Sequence, residues 1–185
     1  MKVTNAEKLI LVMLADLHQK LDVKGDVDPE FVKAAIYSDN LWGLDWEYSG
    51  LFGEKDEDTP NVVMEVCDFL DMWGFLEDSW SKLSAPDKAQ VKKDAAPFGE
   101  SVTFVGFDGN NEGEHISAAR FLTERLNRFD SFKGRANLNA HSHTLDIHRR
   151  MYKVFEKIRP TLSSKPMDAA QITEVLKERV HPSRR

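Results

Sequence analysis

The sequence predicts an all-α protein: about seven to eight helices in multihelical, orthogonal or bundle-like packing, with one short extended segment near residues 102–107. Three observations carry this prediction. Val62, Val66, Phe69, Trp73, Leu76, Trp80 and Leu83 recur at alternating spacings of four and three, an apolar seam down about six helical turns. Apolar residues before and after that stretch keep the same helical spacing. Only Val102, Thr103, Phe104 and Val105 form a β-prone run, and one short strand cannot build a sheet.

Taken in order, Thr4 and Glu7 form a T-x-x-E capping box ahead of Leu9, Ile10, Met13, Leu14, Leu17 and Leu21. That first helix is apolar over more than half its circumference, so deep packing is expected. Residues 22–28 read as a loop, and Asp28 followed by Pro29 opens a helix through Phe31, Val32, Ala35 and Ile36. A third helix is expected over 41–52, closed by Gly53 and the acidic run 54–58. Thr59 as cap and Pro60 in the first turn start the long seam helix. Polar residues 87–95 predict a peripheral or partly disordered helix, and Pro97 and Gly99 then break the chain. Asn111 and Glu114 resemble a cap for a helix carrying Ile116, Ala119, Leu122, Leu126 and Phe129. A polar loop covers 130–143. The helix 144–158 turns Leu145, His148, Met151, Tyr152, Phe155 and Ile158 inward and stops at Pro160. Ala169, Ile172, Val175 and Leu176 line a last helix, and 181–185 form a frayed tail.

Composition bounds function. With 41% apolar and 30% charged residues the chain buries a proper core. A net charge of −6 argues against a partner bound mainly by phosphate neutralisation, so nucleic acid is an unlikely ligand. Charge is unevenly placed: residues 1–100 hold 10 Lys and Arg against 21 Asp and Glu, and residues 101–185 hold 15 against 10. An acidic helical subdomain 1–96 and a basic one 97–180, packed as a single compact domain, follow from this shift. Opposite halves attract within a fold or between copies, which makes the chain itself its expected partner. A single cysteine, Cys67, excludes an internal disulfide and suits the cytoplasm. Its place in an apolar helix predicts a buried, inert thiol. The longest early apolar run, Leu9 to Ala15, is too short to cross a bilayer.

The residues offer few chemical motifs. His141, His143 and His148 could give a metal three nitrogen ligands and an open position suited to hydrolysis; two solvated histidines and one core histidine explain them equally. The segment 108–113 mimics half a calcium loop but places Ala119 at its twelfth position, where a bidentate glutamate is required. Arg120, Arg125, Arg128, Arg149 and Arg150 could grip an anionic ligand, against a solvated or intersubunit face. Phosphate-loop, dinucleotide, nucleophile-elbow and paired-cysteine motifs are absent from the sequence. No cofactor is implied. The acidic pairs Asp45/Glu47 and Glu77/Asp78 read as solvated, and the stripe Phe69, Trp73, Trp80 as core.

TNAEKLIL at 4–11, SWSKL at 79–83 and VTFVGFD at 102–108 together resemble the YfbU family. The resemblance continues through RFLTERLNRFDSF at 120–132, LNAH at 138–141 and MYKVFEKI at 151–158, with VTF-x-GFD its most specific part. It implies a multihelical fold that assembles into oligomers, and no catalytic residue set. The chain departs from the family pattern at His141, where glutamine is usual, and in a longer connection over 84–101. The leading expectation is a cytoplasmic, self-associating protein-interaction or regulatory module without catalytic activity.

Overall fold

A computed structural model describes residues 2–52, 59–163, 165–181 and 183. Nine α-helices appear among them: α1 (Asn5–Lys20), α2 (Pro29–Tyr37), α3 (Trp42–Glu47), α4 (Ser49–Phe52), α5 (Asn61–Lys82), α6 (Ala85–Asp94), α7 (Gly113–Glu124), α8 (Leu145–Ile158) and α9 (Ala169–Lys177). Short 3-10 turns cover Phe98–Glu100, Asp130–Phe132 and Arg159–Thr161. The expected acidic run 54–58, and parts of the expected tail, lie outside the described residues. No strand forms among the described residues; Phe107 and Asn139 make one isolated parallel bridge.

The long seam helix is the post. Val66, Phe69, Trp73 and Leu76 are buried on α5, with Val63, Leu70 and Met72 beside them. Helices α7, α8 and α9 pack against it, α6 leans on α9, and α1 packs mainly on α2. One cluster of buried apolar side chains draws on both sides of residue 96, from Phe31 to Leu176.

Local signals hold where the chain satisfies itself. Thr4 and Glu7 close the capping box as written, and Asp28 caps α2 through Glu30 N–H ahead of Pro29. Other elements differ from expectation, most for a tertiary reason. Thr59 does not cap α5; its hydroxyl accepts from the Trp46 indole at 3.1 Å, and Pro60 takes the cap position. The helix expected over 41–52 breaks at Tyr48, whose hydroxyl accepts from Asp28 N–H, giving α3 and α4. The polar helix α6 is held rather than loose, because Val91 and Ala95 are buried in the core. Asn111 is no cap for α7: its amide donates to Asp108 at 2.6 Å. Helix α7 ends at Glu124, and Phe129 sits in the left-handed region beyond it, at φ +55°. The polar loop after it lends Phe132 and Ala136 to the core.

The largest departure concerns α1. Its inner side rests on the fold through Leu11, Val12 and buried Ala15. Leu9, Ile10, Met13, Leu14, Leu17 and Leu21 are between 52% and 72% exposed. Deep packing was expected from the breadth of the apolar arc. The arc is wide because the helix has two apolar sides, and this chain covers one.

Candidate functional site

The exposed side of α1 is built from four positions in coiled-coil rhythm, Ile10, Leu14, Leu17 and Leu21, with Met13 alongside and Leu9 at the margin. At 100° per residue these point away from Leu11, Val12 and Ala15. Lys8 pairs with Asp39 at 3.0 Å, and Lys33 of α2 pairs with Asp16 at 3.1 Å, so both ends of the helix are tied to α2. Large apolar side chains are thus left in water along one helix face.

The three histidines do not stand together. His148 is wholly buried in α8, ringed by Phe69, Trp73, Phe104 and Phe107 at centroid distances of 5.3 to 6.0 Å. Its Nδ1 accepts from the Trp73 indole at 3.2 Å, so the proton sits on Nε2, which donates to Gly106 O at 3.1 Å. Both ring nitrogens are thereby spent, and ligation would break one of these bonds. Burial drives its pKa down to about 4, against the opposing pull of the Gly106 hydrogen bond. His141 and His143 stay exposed, His141 with a left-handed φ of +53°. Among the described residues no three His, Cys, Asp or Glu side chains group as a metal site.

Asp108 accepts from Asn110 N–H and the Asn111 amide, which lower its pKa below the usual carboxylate range and make the mock calcium loop a turn into α7. Glu112, buried, accepts from Asp108 N–H, Thr144 N–H, the Thr144 hydroxyl and Leu145 N–H at 2.7 to 3.0 Å. It is the N-terminal cap of α8, supplied from α7's start. Burial alone would raise its pKa; the backbone and hydroxyl donors outweigh that and hold it low.

The most specific family-like stretch is architectural. Gly106 adopts φ +86°, and a Cβ there would lie 1.9 Å from Leu138 O, so only glycine fits. Phe107 N–H donates to Leu138 O and Ala140 N–H to Phe107 O, while the Asn139 side chain accepts from Gly109 N–H and His141 N–H. Residues 102–108 and 138–141 are thus stitched into one strap across α5 and α8. Glu77, expected to be solvated, fastens it: Oε1 accepts from Phe104 N–H at 2.7 Å, and both oxygens bind the Arg135 guanidinium.

The five arginines part company. Arg149 makes a two-point pair with Glu65 at 2.8 and 2.9 Å, and His115 stands 3.1 Å from the same carboxylate. Arg150 donates to Glu178 O, and Arg128 lies over the Trp46 ring at 4.9 Å. Arg120 on α7 and Arg125 at its C-cap are exposed and line a groove against α2. Cys67 is half-buried rather than fully buried, and burial pushes its thiol up to about 11, which leaves it inert at neutral pH. Sequence reasoning missed Glu77, Glu112 and Gly106, whose long-range partners lie 27 to 58 residues away.

These features define an all-α, multihelical class of protein, with an extended strap over a central helix pair and one apolar helix face left in solvent. No helix among the described residues is long and apolar enough to cross a membrane. Within that class the chain belongs to the YfbU family: the family model, the YfbU domain, matches residues 1–176 of the 185.

Proposed function

We propose that this chain is a self-associating interaction module whose α1 face docks on the α1 face of a second copy. The observation that carries the reading is the row Ile10, Met13, Leu14, Leu17 and Leu21, more than half exposed on a capped helix fastened to its own fold at both ends. Spacings of four, three and four let two such helices interdigitate as in a short coiled coil. A two-fold pair is self-complementary, so one face serves both copies.

An antiparallel arrangement fits the charges. Glu7 lies in the first turn of α1 and Lys20 in the last, so each Glu7 would approach the partner's Lys20, with the helix dipoles opposed. Six large apolar side chains, each more than half exposed, form a small face beside the roughly 800 Å² per partner that standard interfaces bury. A cytoplasmic setting belongs to this reading; its support is a lone cysteine. Regulation or scaffolding through assembly, without catalysis, is the role it gives the protein.

Light scattering after size exclusion tests it. The expected mass is twice 21.1 kDa at micromolar concentration, in low and high salt alike, because apolar burial is not screened. Leu14→Lys with Leu17→Lys should return a folded monomer. A wild-type monomer at both salts would sink the proposal.

A further inference from the structure

Independently of self-association, α2 borders a second surface, its groove with α7. The groove between α2 and α7 encloses about 950 Å³, the volume of a small-molecule site, and its walls include Lys33, Tyr37, Arg120 and Arg125. Every other arginine flagged in the sequence is committed: Arg149 to Glu65, Arg150 to Glu178 O and Arg128 to the Trp46 ring. Arg120 and Arg125 make no side-chain hydrogen bond or ion pair among the described residues, although Arg125 acts through space on Glu30. The groove also holds two carboxylates, each with a donor at the groove wall. Glu30 accepts from Gln19 and Lys33, and Glu124 accepts from Gly134 N–H at 2.6 Å.

We infer that this groove binds a small phosphate-bearing polyanion, held by the Arg120 and Arg125 guanidiniums. Arg120 in α7 and Arg125 at its C-cap stand about 7 Å apart along the axis, and both line the groove. Guanidinium presents planar paired donors that match phosphoryl oxygens, whereas Lys33 on the facing wall is already paired with Asp16 and Glu30. Gly113 stands at the groove's far end, where α7 begins. Its cap residue, Glu112, has turned its carboxylate to α8, so the first N–H groups of α7 have no side-chain acceptor. A Cβ at Gly113 would meet nothing within 4 Å, so a ligand can approach that backbone directly. Tyr37, exposed on the rim, offers a ring against which a planar group attached to the phosphates can lie.

The experiment uses the full chain and sodium tripolyphosphate as probe, in about 50 mM salt, where exposed charge is weakly screened. Titration calorimetry and thermal unfolding should both report saturable binding. Arg120→Gln with Arg125→Gln should weaken it roughly tenfold or more while the free protein unfolds as wild type. Lys153→Gln with Lys157→Gln, on the outer side of α8, should leave it unchanged. A nucleoside triphosphate run in parallel reads whether an attached base strengthens binding. Absence of binding at millimolar tripolyphosphate, equal loss in both double variants, or no loss in the arginine pair each overturns the inference.

Discussion

The indole N–H of Trp73 donates to Nδ1 of His148 at 3.2 Å, across the contact between α5 and α8 at the middle of the core. The bond fixes the imidazole as neutral with its proton on Nε2, and Gly106 O takes that proton's hydrogen bond. Two helices and the strap therefore meet on one uncharged ring. The folded pKa of about 4 lies below the ordinary 6.5, so the unfolded chain takes up the proton first as pH falls. Stability is complete above pH 6.5 and declines by roughly 3 kcal/mol down to pH 4. Urea unfolding across that window should show the slope, and His148→Gln should flatten it. Trp73→Phe should cost roughly 1–3 kcal/mol beyond lost packing, by leaving Nδ1 buried without a donor.

Gly106→Ala should be among the most damaging single changes in the chain. A methyl group meets Leu138 O at 1.9 Å, and φ +86° is unfavourable for any L side chain. Relief requires moving residue 106, and with it the Gly106 carbonyl that accepts from both Thr144 and His148. A loss of about 3 kcal/mol or more is expected in chemical denaturation. By contrast Gly113→Ala, where the added carbon meets nothing, should change stability by about 0.5 kcal/mol or less.

Contrasts of this kind explain what was legible beforehand. The capping box at Thr4 and the seam from Val66 to Leu76 depend on residues three or four apart, so periodicity reveals them. Thr59 and Asn111 had the chemistry of caps, but Thr59 is claimed by Trp46, thirteen residues away, and Asn111 by a competing local turn on Asp108. His141, His143 and His148 looked like one cluster because they are near in sequence. The start of α8 lies between them and turns only His148 inward. The arginines looked equivalent until Glu65, Glu178 and Trp46 were seen to occupy three of them. Apolar breadth on α1 predicted deep packing, and the structure leaves that side exposed, because hydrophobicity alone does not place a neighbour against every apolar face.

Glu112→Gln should separate charge from shape at the start of α8. Four donors converge on the carboxylate, and an amide offers one oxygen and sets its own NH₂ against donors. The expected loss is on the order of 3 kcal/mol at neutral pH. Because the folded pKa is held below 4.5, the carboxylate's stabilisation is complete above that value and fades as pH falls through the folded pKa. The variant should thus lose less than wild type on going below pH 4.5, while keeping the decline between 6.5 and 4 that belongs to His148. An unchanged acid limb would mean that Glu112 is not the group titrating there.

Neighbouring residues on α1 give the sharpest test of its two sides. Ala15 is buried on the inner side and Leu14 is 56% exposed on the outer. Ala15→Glu should place an unpaired charge between α1 and the fold, cost on the order of 2–3 kcal/mol and reduce helical signal in circular dichroism. Leu14→Glu should leave the dilute protein's unfolding midpoint within about 0.5 kcal/mol of wild type, since it removes no intrachain contact of weight. Concentration then separates the two explanations of the exposed face. A chain that pairs through α1 gains stability with protein concentration by mass action, and Leu14→Glu should abolish that dependence. If both substitutions were equally costly at nanomolar protein, the outer side would be covered by the chain's own residues. If neither the wild type nor the variant responded to concentration, the face would not be closed by a second copy.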